Sequence, residues 1–126
     1  MVKSLAVFLF LGSAALAACG TENAHERATA FGTVEQHLDS AAVPVDLRHL
    51  VPLAERWGIG DDVERNQRVG RATPAEREEL RAAITPLYSR ITAWLDSFGG
   101  GAMTDEAAAF MYMQLALEEM LAGIQG

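Results

Sequence analysis

The stretch LRAAITPLYSRITAWLDSF, residues 80–98, decides the fold class of this chain. Its large apolar residues recur at intervals of three and four residues, which predicts an amphipathic α-helix. These residues are Leu80, Ile84, Leu87, Tyr88, Ile91, Trp94, Leu95 and Phe98. Pro86 removes one backbone hydrogen bond inside the stretch. Because the apolar spacing keeps its phase across Pro86, we expect one bent helix or two nearly collinear helices.

The residues on either side of this stretch predict further helix boundaries. Before it, Thr73-Pro74-Ala75-Glu76 combines a capping threonine, a proline at the first helical position and a glutamate at the third. After it, the glycines at 99–101 end the helix, and Thr104 can cap the last one. The apolar stripe of that last helix comprises Phe110, Met113, Leu117, Met120, Leu121 and Ile124, widened by Met111 and Leu115. We expect this helix to be the most buried.

Shorter helical patterns occupy the first half of the chain. Asn23, with Glu26 in the capping-box position, is expected to begin a helix with Phe31, Val34 and Leu38 on one face. Asp46 is expected to cap a helix that ends at Gly58 and carries the stripe Leu47, Leu50, Val51, Ala54 and Trp57. Asp61, with Glu64 in the capping-box position, begins another. No alternating strand pattern competes, so the sequence predicts an all-α fold, a small bundle of four or five helices within residues 23–126.

Residues 1–18 have the organisation of a cleaved signal peptide. Met1-Val2-Lys3 is a short basic start, and Leu5 to Leu11 is apolar but too short for a bilayer, which needs about 20 residues. The stretch ends in Leu16-Ala17-Ala18-Cys19, which resembles the lipobox of bacterial lipoproteins. The resemblance implies cleavage between Ala18 and Cys19, a diacylglycerol on the thiol and an acyl chain on the new amino group.

The resemblance predicts a protein anchored by lipid in the bacterial cell envelope, with residues 19–22 as lipidated Cys and short tether. If the organism has two membranes, Gly20 after Cys19 indicates the periplasmic face of the outer membrane. No cofactor is expected beyond the covalent diacylglycerol and acyl chain on Cys19. The alternative is an ordinary secretory peptide cut after Ala17 or Ala18, which would leave Cys19 as a free thiol.

The charge of the chain restricts its partners. Residues 19–126 carry nine Arg, no Lys and all 17 acidic residues, a formal net charge of −8. This excess of acid argues against a nucleic acid partner and against electrostatic binding to anionic lipid. Attachment to a membrane would therefore depend on the lipid of Cys19.

Asp61, Asp62 and Glu64 form the densest acidic cluster and are the candidates for a cation site or an acid–base pair. The alternative is helix capping, with Arg65, Arg68 and Arg71 following toward the negative end of the helix dipole. We favour capping, because the segment lacks the alternating acids and trailing Glu of a calcium loop.

Other side chains offer little chemistry. The spacing of His25, His37 and His49 does not match that of paired metal ligands on a helix. Met111 and Met113 would point about 200° apart on a helix and cannot share an ion. No nucleophile with a suitable base is visible, so neither catalysis nor a metal site is expected.

Trp57-Gly58-Ile59-Gly60-Asp61-Asp62, preceded by Leu50, Pro52 and Leu53 and followed later by Trp94-Leu95, resembles a family of small helical bacterial proteins. That family has a Trp-Gly-Ile-x-Asp-Asp motif in the turn between two helices. The resemblance covers about the last two thirds of the chain and implies no activity. The lipobox is a departure from the family, whose members look cytoplasmic.

Three classes of function follow from these patterns. The first is a binding module that is tethered by lipid and meets another envelope protein. The second is a metal-binding or enzymatic domain that uses Asp61, Asp62 and Glu64. The third is a carrier of a small ligand or lipid, with a pocket between the last two helices lined by Met and aromatic residues. The sequence favours the first.

Overall fold

The computed structural model describes residues 36–125, without the side chains of Ile124 and Gln125. The α-helices are α1 (Val51–Trp57), α2 (Asp62–Gly70), α3 (Pro74–Ile84), α4 (Tyr88–Asp96) and α5 (Asp105–Gln125). Short 3₁₀ helices occupy Ser40–Ala42, Val45–Leu50 and Thr85–Leu87. No strand occurs among the described residues, and the predicted all-α bundle is confirmed.

Helix α5 is the centre of the bundle. It contacts each of the other four α-helices. Its buried side chains are Ala107, Ala109, Phe110, Met113, Gln114, Ala116, Leu117 and Met120. Thr104 caps it through a 3.1 Å hydrogen bond from the Ala107 N–H to the threonine hydroxyl, as predicted. Leu121 departs from the predicted stripe, because 41% of its surface is exposed.

Pro86 divides the helix predicted for residues 74–98. Helix α3 ends at Ile84, Thr85–Leu87 forms a 3₁₀ turn around the proline, and α4 starts at Tyr88. The capping box before Pro74 is complete, since the Thr73 hydroxyl accepts from Glu76 N–H and the Glu76 carboxylate accepts from Thr73 N–H. The members of the predicted stripe that are buried are Leu80, Ile84, Ile91 and Leu95.

The segment before α1 differs from the sequence prediction. Pro44 occupies the N-cap position of the 3₁₀ helix Val45–Leu50, and the α-helical conformation begins only at Val51. Asp46 is therefore not a cap, and its carboxylate accepts instead from Arg90 at 2.8 Å. The predicted apolar stripe is confirmed, because all its residues are buried: Leu47, Leu50, Val51, Ala54 and Trp57.

Residues 36–39 have no regular secondary structure, so the prediction that Leu38 lies on a helix is wrong. Leu38 is nevertheless buried. Its N–H donates to the Glu55 carboxylate at 2.9 Å, and the N–H of Asp39 donates to Glu106 at 3.0 Å. Carboxylates on α1 and α5 thus accept the hydrogen bonds from backbone N–H groups that carbonyl groups would accept within a helix.

Several predictions lie outside the described residues. They are the signal peptide at 1–18, Cys19 and the tether at 19–22, the helix start at Asn23 with Phe31 and Val34, and His25.

Candidate functional site

The turn from Trp57 to Asp62 joins α1 to α2 and is the strongest motif of the sequence. Gly58 ends α1 as expected, but its φ of −80° is not the left-handed conformation usual for helix-ending glycines. The requirement for glycine is steric. A Cβ here would lie 2.6 Å from the Ala109 carbonyl oxygen and 2.8 Å from the Ala109 Cβ of α5. The turn therefore lies directly against the central helix.

Trp57 is fully buried under the turn. The Arg68 guanidinium carbon lies 4.2 Å from its ring centroid, in a cation–π arrangement. The same guanidinium donates to the Glu76 carboxylate at 2.7 Å. Hydrogen bonds from Arg68 and from the Thr73 backbone lower the pKa of Glu76 to about 2. Trp57 and Arg68 thus connect α1, α2 and the start of α3.

The acidic cluster has structural roles in this arrangement. The Asp61 carboxylate accepts from the Glu64 N–H at 2.9 Å and caps α2, as predicted. In the described chain the reciprocal bond from the Asp61 N–H to Glu64 is absent, so the predicted capping box is only half formed. Asp62 accepts from Arg65 at 2.6 Å. Asp61 and Asp62 are thus engaged within the helix that they begin.

Arg65 is the central polar residue of the site, and sequence reasoning did not single it out. Its side chain is 5% exposed and donates three hydrogen bonds. Nε donates to Glu119 on α5, Nη1 to the Ile59 carbonyl and Nη2 to Asp62, at 2.9, 2.9 and 2.6 Å. Burial alone would lower its pKa, but the bonds to Asp62 and Glu119 outweigh burial and raise it.

No sequence pattern distinguishes Arg65 from Arg68, the other arginine of α2. The one relevant signal is that residues 19–126 contain nine Arg and no Lys. Guanidinium groups offer several donors in a fixed fork, which an ammonium group cannot reproduce. The same chemistry recurs where Arg77 donates to the carbonyls of Val69 and Ala72 and Arg48 to that of Val43.

The remaining candidate side chains do not converge. His37 and His49 are exposed, and the Glu55 carboxylate lies 3.7 Å from His37 Nδ1. Within residues 36–125, no three His, Cys, Asp or Glu side chains are grouped to hold a metal ion. Met113 is buried and Met111 partly buried, in keeping with a packing role for both.

A groove of about 250 Å³ lies between α3 and α5. Leu117, Met120 and Leu121 line it from α5. Pro74, Arg77, Glu78 and Arg81 line it from α3. The sequence predicted a pocket between the helix of residues 74–98, to which α3 belongs, and the last helix. The groove lies between these two segments, but its lining includes one methionine and no aromatic residue. The aromatic rings of Trp94 and Phe110 pack against each other instead, with centroids 5.2 Å apart.

No family model, curated protein or solved structure matches this chain. Of the helices between residues 36 and 125, none combines the length and the apolar character needed to cross a bilayer.

Proposed function

We propose that this protein is a lipid-anchored binding module of the bacterial cell envelope, without catalytic activity. The anchor would be diacylglycerol and an acyl chain on Cys19, the only cysteine of the chain, placed after Leu16-Ala17-Ala18. Two or more acyl chains hold a protein stably at a membrane, whereas one holds it marginally. In a cell with two membranes, we place the protein on the periplasmic face of the outer membrane.

The observation that supports a binding role is that the acidic turn, Asp61-Asp62, is already engaged in hydrogen bonds that stabilise the fold. Asp61 caps α2, and Asp62 holds Arg65, which also binds Glu119. Side chains already engaged as a helix cap and as a partner of Arg65 are poorly placed to exchange protons with a substrate. The described surface that remains is that of a small helical domain with an apolar groove, and such a surface suits binding.

A second candidate function is the transport or storage of a small apolar ligand or lipid. The groove between α3 and α5 favours it, because Leu117, Met120 and Leu121 offer an apolar lining. The third candidate, a metal-binding or enzymatic domain, would need Asp61 and Asp62 to exchange their present hydrogen bonds for a cation, with the Glu64 carboxylate beside them.

Metabolic labelling tests the anchor. Labelled palmitate should enter the wild-type chain but not Cys19→Ser, and the variant should move from the membrane to the soluble fraction. Equal labelling of the two chains would disprove the lipoprotein proposal.

Crosslinking in cells, followed by mass spectrometry, tests the binding role. The anchored chain should give a reproducible protein adduct that Cys19→Ser loses. Co-purification of a stoichiometric small ligand without any protein adduct would favour the carrier instead.

A further inference from the structure

We infer that residues 62–68 of α2 form a cover that opens over Trp57 while the rest of the bundle stays packed. The cover buries one side chain, that of Arg65, and its only large apolar side chain, Val63, is 66% exposed. By contrast, each of the other four α-helices buries two or more apolar side chains, and α5 buries seven. Because burial of apolar surface is the main force that holds helices together, the cover must be held by other contacts.

Two arginines hold the cover in its closed position. Arg65 donates to the Glu119 carboxylate of α5 at 2.9 Å. The Arg68 guanidinium carbon lies 4.2 Å from the centroid of the Trp57 ring, and the same group donates to Glu76 at 2.7 Å. When the cover opens, water replaces these partners, so each bond opposes opening by much less than its gross strength. The cover is therefore held less firmly than the helices that meet in the apolar core.

The closed position also leaves two buried polar atoms without hydrogen bonds. Trp57 Nε1 and Glu119 Oε2 have no hydrogen-bond partner among the described residues. Each side chain is in direct contact with an arginine of the cover, Trp57 with Arg68 and Glu119 with Arg65. A buried donor or acceptor without a partner costs free energy, which is recovered once water reaches it. Opening moves the arginines away from both side chains and so favours their hydration.

Contacts on both sides of the cover confine the opening to it. Before the cover, a Cβ on Gly58 would lie 2.6 Å from the Ala109 carbonyl oxygen, so the chain lies directly on α5. After the cover, Val69 is 6% exposed, and its carbonyl accepts from Arg77 of α3 at 2.9 Å. These contacts keep the other helices packed when residues 62–68 leave their place. The inference depends neither on the proposed lipid anchor nor on a binding partner.

Hydrogen exchange of the full chain in detergent, followed by mass spectrometry at increasing urea below the unfolding midpoint, tests the cover. We expect the amides of residues 66–68 to exchange at least about tenfold faster than those of residues 113–120. Their rate should depend weakly on urea, because opening of the cover exposes little surface, whereas residues 113–120 exchange through global unfolding. Helix α4 is the control, because it has nine residues like α2 but buries Ile91 and Leu95. Exchange of the cover that matches α4 in rate and urea dependence would overturn the inference.

Ile91→Val separates opening of the cover from unfolding of the whole bundle. Ile91 is fully buried on α4, so the variant weakens the packed bundle equally with the cover closed or open. Exchange of residues 113–120 should become about two- to tenfold faster, whereas exchange of residues 66–68 should not change. An equal acceleration of both segments would show that the cover opens only by global unfolding and would overturn the inference.

Arg65→Met tests the bonds that hold the cover closed. Because the variant cannot donate to Glu119, exchange of residues 66–68 should become about tenfold faster or more. Arg90→Met is the matched control, because Arg90 also pairs with an acid, Asp46, but at an exposed site on α4. The control should leave the exchange of residues 66–68 unchanged. Unchanged exchange in Arg65→Met, or an equal acceleration in Arg90→Met, would overturn the inference.

Discussion

Gly58 and Ala109 pack backbone against backbone where the end of α1 meets α5. A Cβ built on Gly58 would lie 2.6 Å from the Ala109 carbonyl oxygen, closer than carbon and oxygen can approach without displacement. The same Cβ would lie 2.8 Å from the Ala109 methyl group and 2.5 Å from the Ala54 carbonyl oxygen of α1 itself. Because all these atoms belong to backbone or to a rigid methyl group, none can move aside cheaply. The contact sets how closely the turn approaches the central helix.

Gly58→Ala should therefore lower the free energy of unfolding by about 1–3 kcal/mol or more, as overpacking of a rigid core does. Gly70→Ala is the matched control, because nothing lies within 4 Å of a Cβ built there and Gly70 ends α2. We expect the control to raise stability by about 0.4–1 kcal/mol. Urea denaturation followed by circular dichroism measures both. Equal stability of the two variants would contradict the close approach.

Arg65→Met should lower stability by about 3 kcal/mol, because it leaves the Glu119 carboxylate partly buried without its cation. The side chain of Glu119 is 25% exposed, so water compensates only in part. Arg65→Met combined with Glu119→Leu should recover part of the loss, since both charges are then gone. The double-mutant cycle is read from chemical denaturation. If the losses of Arg65→Met and Glu119→Leu simply add in the double variant, the pair is not coupled.

Acid should weaken the link between α2 and α3. The pKa of Glu76 falls from an ordinary 4.5 to about 2 in the folded protein, chiefly through the hydrogen bond from Arg68. A carboxyl group whose folded pKa is depressed stabilises the fold above its unfolded pKa, and that contribution is lost as the pH falls. We therefore expect the free energy of unfolding to fall as the pH is lowered from 4.5 to about 2.

Glu76→Gln should lack this part of the acid dependence, because it has no proton to take up. Arg68→Met keeps an apolar stem beside Trp57 but removes the guanidinium, so it should flatten the same part of the profile. The free energy of unfolding, measured as a function of pH for the three chains, checks this. An acid profile of Glu76→Gln that equals the wild type would contradict the assignment.

Asp61→Ala should lower stability by about 1 kcal/mol, as the loss of a helix cap does. Asp62→Ala should cost less, about 0.2–1 kcal/mol, because its side chain is 85% exposed and Arg65 keeps two other acceptors. The melting temperature of the wild type should not respond to Ca²⁺, Mg²⁺, Mn²⁺ or Zn²⁺. A cation-dependent rise that both variants lose would move the acidic turn into the class of metal sites.

Features that depend on neighbouring residues in the chain could be predicted from the sequence. Asp61, Thr73 and Thr104 cap their helices because a side-chain oxygen and the N–H that it accepts are only three residues apart. The stripes of Leu80 and Phe110 are likewise set by the helical repeat, and both residues are fully buried. Local geometry leaves few alternatives for such features, which is why the all-α fold could be predicted.

Features that join distant segments could not be predicted in this way. Arg65 bonds Glu119, which is 54 residues away, and an arginine on a helix surface has the same local pattern as one that is buried. Asp46 was predicted to cap but pairs with Arg90 on α4. Gly58 was predicted only as the end of a helix, and the structure requires glycine there because of its close approach to Ala109. The sequence determined the all-α class, the starts of α2, α3 and α5 and most of their buried residues, because those depend on residues one turn apart. Only the tertiary structure decided which charges meet and which backbones touch, since these depend on how the helices pack.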